Sequence, residues 1–489
     1  MLAARPAPAR LASVCASSDS KQHLVAVRGP TCPVGHSELT GAVGVNIYDA
    51  LWCSSPAMKS TCSHKDTLDT LRFLKDSGLR FFRFFASLYG AAQYHWLQHP
   101  SRFWAAFDLL MDAAQSLGLQ VVPSIGAESW HEVANREVNA TTPGDETAAA
   151  RRGRVRHAET VNDLVINASS RARALALRYT HEVVRRYRDR PAVLLWELGN
   201  ELNLKVNMMN QCRFGANGTE KKSMWIEESW RAPTEGRCFN TSAMVAYTRD
   251  LVEAIRRADA TRPISSGFGI TRPSAWHQEV CRGGAHGGAC AGGGVGALDT
   301  LTQWQQMVQW QHEAVDIASL HVYAGTRGCW FGRGPGACHR QSNVSVIEAA
   351  AAAAAAVGKP IYVGEYGGPA PNFTGPLRSH QAFPEAVLRW QVAAQQRAEE
   401  QRRAGLRGAS PPALSSIWGW MCPSKRRTMR CIWPTSENGA ATMPHSVVVG
   451  EEQSSAHMLS LMQWANARLL APAQPPGRAR EADKNAPNR

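Results

Sequence analysis

Two glutamates in this sequence each lie near the end of an apolar run that has the character of a β-strand. Glu201 closes one run within residues 193–202, and Glu365 closes another within 359–368. Parallel α/β barrels present catalytic acids in this way, at the carboxyl ends of their strands. If both strands belong to one barrel, the two carboxyl groups face each other across its mouth. A carboxylate pair placed there is suited to acid–base and nucleophilic chemistry.

The rest of the chain supplies the strands that such a barrel needs. Eight short apolar or β-rich runs alternate with helix-like segments, which is the order of a parallel α/β fold. The predicted strands are 42–48, 80–85, 120–125, 192–198, 263–268, 316–322, 360–364 and 415–420. The predicted helices are 67–77, 103–117, 170–187, 241–258, 346–357 and 383–404. This pattern predicts an α/β fold of the (β/α)8 barrel type.

The domain organisation follows from length and composition. A chain of 489 residues fits one barrel with insertions better than two domains. We assign residues 36–470 to the barrel, 1–35 to a leader or poorly ordered segment, and the Pro-, Ala- and charge-rich 471–489 to a disordered tail. Two long insertions, 205–240 and 281–296, follow predicted strands and are therefore expected on the catalytic face.

Five short motifs resemble those of glycoside hydrolase family 5, and within it the endo-β-1,4-mannanases. The two glutamate motifs are Trp-Glu-Leu-Gly-Asn-Glu at 196–201 and Gly-Glu-Tyr-Gly at 364–367. The others are Gly-Val-Asn-Ile-Tyr at 44–48, Arg-Phe-Phe-Ala at 83–86 and Ser-Leu-His-Val-Tyr at 319–323. The resemblance runs from about residue 41 to about residue 420, and the order and spacing of the motifs make it specific.

The resemblance implies a role for the residues of the two glutamate motifs. Glu201 corresponds to the acid/base and Glu365 to the nucleophile of the family, and Asn200 corresponds to the ligand of the sugar 2-hydroxyl. Glu197 is the rival for the acid/base role. Its place inside the predicted strand favours a hydrogen bond in the barrel interior instead.

Arg83, His321 and Tyr323 match the residues that support the catalytic pair in the family. Arg83 and the Tyr323 hydroxyl are expected to lower the pKa of Glu365, because both favour its anionic form. The pKa of Glu201 is expected to rise, because of partial burial and the negative charge of its neighbour.

Aromatic and polar residues near the strand ends are expected to contact the substrate, since sugar C–H groups stack on aromatic rings. The chain has sixteen tryptophans. Trp418 and Trp420 end the eighth predicted strand, where the family places a stacking tryptophan, and the sequence does not decide between them. Trp130 follows the third strand, and Asn46 and Tyr48 belong to the first-strand motif.

The predicted activity is retaining hydrolysis of β-1,4-mannan or glucomannan by double displacement, without a metal or an organic cofactor. Two departures from the family affect the substrate: Leu202 replaces a common proline, and the loops after strands four, five and six are longer or differently spaced. A β-glucanase or a transglycosylase could use the same glutamates. A non-catalytic carbohydrate-binding protein is the rival hypothesis from another class, although both carboxylates are present.

The net charge of +14 does not predict a nucleic-acid partner. The basic runs at 151–154, 185–186 and 425–427 are separated by ordinary sequence and belong to no nucleic-acid-binding motif. An uninterrupted apolar stretch of about 18 residues, which a transmembrane helix needs, does not occur in the sequence. We expect a monomer that binds a β-linked polysaccharide or oligosaccharide and neither nucleic acid nor membrane.

Cysteines and sequons favour an oxidising, secretory destination. Four cysteine pairs, at 53/62, 281/290, 329/338 and 422/431, have the same spacing of nine residues, and 212/238 bracket a longer segment. The spacing predicts disulfides that hold loops, with unrelated free thiols as the alternative. Six Asn-x-Ser/Thr sequons begin at residues 139, 167, 217, 240, 343 and 372. Residues 1–20 lack a convincing apolar signal core and also resemble an organellar transit peptide.

Overall fold

Eight parallel strands form a barrel in the computed structural model. They are β1 (Ala42–Asn46), β2 (Phe81–Phe85), β3 (Gln120–Ser124), β4 (Trp196–Glu197), β5 (Ile264–Ser265), β6 (Ala318–Tyr323), β7 (Ile361–Gly367) and β8 (Leu414–Ile417). Their order is β5-β4-β3-β2-β1-β8-β7-β6. An isolated bridge between Ser265 and Ile317 joins the two ends of this sheet. The predicted (β/α)8 barrel is therefore confirmed.

The structure describes residues 41–55, 63–88, 90–126, 128–140, 159–207, 239–280, 297–323, 330–332, 342–367, 377–404, 414–417, 420–421, 447–448 and 453–470. The leader at 1–35, the tail at 471–489 and most of both long insertions lie outside these residues. A small second sheet pairs β9 (Trp420–Met421) with β10 (Val447–Val448).

Helices surround the barrel. They are α1 (Ala50–Ser54), α2 (His64–Asp76), α3 (His95–Gln98), α4 (Pro100–Ser116), α5 (Trp130–Ala140), α6 (Val161–Ile166), α7 (Arg171–Tyr187), α8 (Thr241–Ala258), α9 (Ala275–Val280), α10 (Leu301–Gln311), α11 (Asn343–Ala356), α12 (Leu377–Arg403) and α13 (Gln453–Leu469). All six predicted helices are present, and the alanine run forms α11. In the described part of the chain, no helix combines the length and apolar character that a bilayer crossing requires.

Local sequence explains where several helices begin. Ser63, Thr160 and Thr300 each cap a helix and form a capping box with the residue three positions later. Each box satisfies backbone N–H groups that the first helical turn leaves without partners. Helix α10 lies outside the predicted helices, and the Thr300 box was the available signal for its start.

The core has two layers because successive strand residues face opposite sides of the barrel wall. A small cluster that includes Phe81, Val122, Ile317, Tyr362 and Leu414 fills the barrel interior. A much larger cluster packs the outer faces of the strands against the helices. The apolar inner cluster forms a floor, and the polar residues that follow it along the same strands face the mouth.

The last helix secures the first strand. The side chain of Asn466, on α13, accepts a hydrogen bond from the backbone N–H of Val43 (2.8 Å) and donates to the Val43 carbonyl (3.0 Å). Both residues are buried. A buried peptide group needs partners for both its N–H and its C=O. The Asn466 amide supplies both partners, as a neighbouring strand would, and so helps to hold β1, which carries Asn46.

Candidate active site

Arg83 lies at the centre of the barrel mouth and is completely buried. Its Nε donates to Glu197 Oε1 (2.7 Å), and its Nη2 donates to Asn200 Oδ1 (2.9 Å). Its Nη1 donates to both Glu365 Oε1 (2.8 Å) and Asn46 Oδ1 (2.9 Å). One guanidinium thus connects β1, β4, β7 and the turn that follows β4. Its rigid fork of donors suits several fixed acceptors at once.

Glu365 lies in β7 and is almost completely buried. Its Oε1 accepts from Arg83 at 2.8 Å, and its Oε2 accepts from the hydroxyl of Tyr323 at the end of β6. Burial raises the pKa of Glu365 and outweighs His321, Arg83 and the Tyr323 hydroxyl, which lower it. Arg83 and the Tyr323 hydroxyl thus lower this pKa as expected, but desolvation of the anion, which the expectation left out, is the larger effect.

Glu201 directly precedes a short 3-10 helix, Leu202–Lys205, and its backbone is left-handed, with φ 58° and ψ 28°. This region is uncommon for residues other than glycine. The backbone N–H of Glu201 donates to the Gly267 carbonyl at 2.7 Å, which fixes the turn. The side chain of Glu201 remains 29% exposed. Burial raises the pKa of Glu201 to about 7, although Arg83 and Lys205 lower it.

His321, in β6, lies between the two carboxyl groups. Its Nδ1 is 3.0 Å from Glu201 Oε1 and 3.4 Å from Glu365 Oε1. Burial lowers the pKa of His321 to about 4, so the ring is neutral near pH 7. One atom from each of these three side chains lies within 4.8 Å of the other two. The ring packs against Gly364, where an added Cβ would lie 2.9 Å from His321 Nε2.

Asn200 is half-buried, and its Oδ1 faces Arg83. Its backbone N–H points toward Glu128 Oε2 at 3.4 Å. Glu128 is buried and follows β3 on the same side of the barrel. Reasoning from the sequence missed Glu128, and its place just after the third predicted strand was the available signal.

Two residues predicted to contact substrate do not face the open mouth. Asn46 is completely buried, and its Nδ2 donates to the carbonyls of Gly364 (3.0 Å), Ile417 (3.2 Å) and Ser416 (3.3 Å). With its Oδ1 bound to Arg83, its amide is used within the barrel. The predicted substrate contact of Asn46 is therefore wrong, and the residue instead ties Arg83 to β7 and β8.

The prediction for Trp130 is wrong for a similar reason. Trp130 is 2% exposed, and its ring packs against Trp96 (5.8 Å between centroids) and Tyr179 (4.9 Å). Its Nε1 donates to the Gly126 carbonyl. A ring enclosed by other rings cannot stack on a sugar, so Trp130 is a core residue.

The other aromatic residues predicted to contact substrate are Tyr48, Trp418 and Trp420. Tyr48 is half-buried beside Phe85, with 6.0 Å between the ring centroids. Trp418 lies outside the described residues. Of Trp420, the structure describes the backbone, which pairs with Val447 in the small second sheet. The stacking tryptophan of β8 therefore stays a prediction.

Gly267 lets the turns after β4 and β5 approach each other. Its φ is +67°, and an added Cβ would lie 1.8 Å from the Gly199 carbonyl oxygen and 2.8 Å from Glu197 Cδ. A side chain at residue 267 would therefore push the Gly199 carbonyl away, and the two residues that follow Gly199 would move with it. The position of Glu201 therefore depends on the absence of a side chain at residue 267.

We expect Gly267→Ala to displace the turn that carries Glu201 and to lower kcat by at least about 100-fold, as small misplacements of catalytic groups can do. Gly358→Ala is the matched control, because Gly358 has φ +72° and no atom within 4 Å of an added Cβ. The control should lose about 1–2 kcal/mol of unfolding free energy from the left-handed backbone and keep its activity. Urea unfolding and kcat measure the two effects; equal activity in both variants would contradict this role of Gly267.

Solved structures resemble this fold over most of its length. A mutant of a glycoside hydrolase family 5 mannosidase from Rhizomucor miehei matches with a TM-score of 0.52 and 13% identity, over 89% of this chain and 94% of that chain. Another structure of a family 5 mannosidase from Rhizomucor miehei gives 0.51 and 14%, again over 89% and 94%. At these identities the similarity concerns the fold alone. Among curated proteins, none matches the chain in sequence.

The sequence also matches a family model. The model is described as cellulase (glycosyl hydrolase family 5) and matches residues 49–386. The matched region is more than half of the 489 residues and contains Arg83, Glu201, His321 and Glu365. The chain therefore belongs to glycoside hydrolase family 5.

Proposed function

We propose that this protein is a retaining β-glycoside hydrolase that cleaves β-1,4-mannan or glucomannan by double displacement. The observation that carries the proposal is the carboxylate pair, since an oxygen of Glu201 and an oxygen of Glu365 lie within 4.8 Å of each other. Retaining glycosidases hold their carboxyl groups about 5–5.5 Å apart, whereas inverting enzymes need roughly 6.5–9.5 Å to admit a water. The short separation supports a covalent glycosyl-enzyme intermediate.

The hydrogen bonds support a separate role for each carboxyl group. Glu365 accepts from Arg83 and Tyr323, and both donors stabilise its anion, whereas Glu201 lies beside the neutral His321. The proton of the pair is therefore expected on Glu201, whose pKa burial raises to about 7. Glu365 attacks the anomeric carbon while Glu201 protonates the leaving oxygen. Glu201 then accepts a proton from the water that releases the sugar.

Asn200 is placed to bind the sugar that is being transferred. Because its Oδ1 accepts from Arg83, the amide turns its Nδ2 away from the guanidinium. Asn200 is half-buried, and its Nδ2 has no hydrogen bond to another of the residues that the structure describes. It can donate to the 2-hydroxyl next to the anomeric carbon, where hydrogen bonds strengthen in the transition state.

Mannan or glucomannan is proposed as the substrate because the five motifs resemble those of endo-β-1,4-mannanases. The similar solved structures from Rhizomucor miehei are also named mannosidases. We expect the enzyme to release oligosaccharides from mannan and glucomannan and to act weakly on cellulose and β-1,3-glucan. Chromatography of the products would measure this preference and the size of the products. Cleavage of cellulose or β-1,3-glucan without cleavage of either mannan would instead support a β-glucanase.

The same assay distinguishes hydrolysis from sugar transfer and from binding without turnover. Transfer products that exceed hydrolysis products in the presence of a sugar acceptor would support a transglycosylase. Binding of these polysaccharides without turnover would support a non-catalytic carbohydrate-binding protein.

Two substitutions test the roles of the glutamates. Glu365→Gln should nearly abolish turnover and keep substrate binding, because the amide preserves shape but is not an anionic nucleophile. On an aryl glycoside whose leaving group needs no proton, Glu201→Ala should still form the glycosyl-enzyme and hydrolyse it slowly. Added azide should accelerate release and give the β-glycosyl azide, which NMR identifies. Rescue of Glu197→Ala rather than Glu201→Ala, or an α-azide product, would overturn the assignment.

We also propose a secretory destination, in which disulfides and N-glycans form. Cys53 is disulfide-bonded in the structure. Asn167, which begins a sequon, is exposed at the end of α6. By contrast, Asn240 is half-buried at the start of α8, and Thr241 within its sequon is buried. These surroundings favour a glycan on Asn167 over one on Asn240.

Mass spectrometry of an unreduced digest of protein from its native source tests this proposal. We expect Cys53 in a disulfide and a glycan on Asn167, with a lower glycan occupancy at Asn240. A free thiol at Cys53 together with an unmodified Asn167 would contradict the secretory destination. Sequencing of the mature N-terminus in the same sample would show where a leader is removed.

A further inference from the structure

Glu197 is a buried carboxylate that the proposed reaction does not use. It ends β4, four residues before Glu201, and its side chain has no exposed surface. Its Oε1 accepts from Arg83 Nε at 2.7 Å, in an ion pair. Since no part of the side chain reaches the open mouth, Glu197 cannot touch a sugar. Its effect on catalysis must therefore be indirect, through Arg83 and through its charge.

The surroundings of Glu197 leave Arg83 as its charged partner. Glu197 pairs in register with Ser124 on β3 and with Ser265 on β5. The hydroxyl groups of both serines and Glu197 Oε2 are buried and make no hydrogen bond to the described residues. Gly267 lies against the Glu197 carboxyl group, and a Cβ there would be 2.8 Å from Glu197 Cδ. The carboxylate is thus tightly enclosed, and Arg83 is the main cation that offsets its negative charge.

Arg83 therefore divides its charge between two buried carboxylates. Its Nε binds Glu197 at 2.7 Å, and its Nη1 binds Glu365 at 2.8 Å. Three other titratable groups face this cluster from β6 and β7: neutral His321, and Tyr323 and Tyr362, whose pKa values burial raises. Lys205 faces Glu201 from the turn after β4 and favours its anion.

We propose that Glu197 is a positioning residue that anchors Arg83 against Glu365 and, through its fixed negative charge, moves the pH range of catalysis upward. The inference rests on the proposed roles of Glu201 and Glu365. A buried anion disfavours ionisation of other carboxyl groups nearby. Glu197 thus helps Glu201 to keep its proton, and the bond to Arg83 keeps Glu365 in place for attack.

The sign of the effect follows from the charges. Without the charge of Glu197, Arg83 stabilises the anions of Glu365 and Glu201 more strongly, so both carboxyl groups lose their protons at lower pH. The acidic limb of the pH profile reports ionisation of the nucleophile, and the basic limb reports loss of the proton from the acid. Both limbs should therefore move in the same direction, which loosening of the structure alone would not produce.

Glu197→Gln tests the proposal, because the amide keeps the size of the side chain and an oxygen for Arg83 Nε but has no charge. In the profile of kcat/KM against pH, both limbs should shift to lower pH by on the order of one unit, as expected for a charge several ångströms away in a protein interior. At pH 7, kcat should fall by about tenfold with a much smaller change in KM, since Glu197 does not touch substrate.

Glu197→Asp is the matched control, since it keeps the charge and shortens the reach to Arg83. Its kcat should fall, while both limbs should stay near their wild-type positions. Limb positions do not depend on the amount of folded enzyme, so they can be read even if a variant folds poorly. Unmoved limbs in Glu197→Gln, or equal shifts in both variants, would overturn the proposed charge effect.

A trapping experiment separates this inference from the proposed function. A 2-deoxy-2-fluoro glycoside, which forms a slowly hydrolysed glycosyl-enzyme, should label Glu365 in the wild type and in both Glu197 variants. A label on another residue would refute the proposed function itself. A label on Glu365 with limbs that do not move would refute the inference about Glu197 alone.

Discussion

The site depends on the burial of one arginine in the mouth of the barrel. A guanidinium removed from water needs acceptors and counter-charges. Arg83 finds them on β1, on β4 and the turn after it, and on β7, through Asn46, Glu197, Asn200 and Glu365. If Arg83 were lost, two buried carboxylates would lose their cation, which is costly in a protein interior. The interaction that orients the catalytic groups therefore also joins the strands that carry them.

Two glycines allow the close packing that places the catalytic groups around Arg83. Gly267 admits the turn of Glu201, and Gly364 admits the ring of His321, at distances that a Cβ would not allow. The left-handed backbone of Glu201 is held by its bond to the Gly267 carbonyl. Strain at a catalytic residue persists when the surrounding structure fixes it. Here the strained turn places Glu201, whose pKa is raised, next to Glu365, whose anion accepts hydrogen bonds from two donors.

Sequence reasoning predicted the strands and the main catalytic candidates because both depend on local pattern. Apolar runs of strand length marked all eight strands, and the order of the motifs marked Arg83, Glu201 and Glu365. The predictions from sequence failed for residues whose surroundings are set by contacts between distant segments of the chain. Trp130 is a core residue because Trp96 and Tyr179 enclose it, and both come from helices far along the chain. The raised pKa of Glu365 depends likewise on burial, which the sequence does not reveal.

In the proposed mechanism, Glu365 forms a covalent glycosyl-enzyme, and water activated by Glu201 then attacks the anomeric carbon from the opposite face. The anomer released in the first turnovers distinguishes this double displacement from a single one. Proton NMR can follow hydrolysis of a soluble β-1,4-mannooligosaccharide before the product mutarotates. We expect the β-anomer to form first and then to equilibrate toward the α-anomer. Initial release of the α-anomer would mean a single displacement by water and would contradict the proposed mechanism.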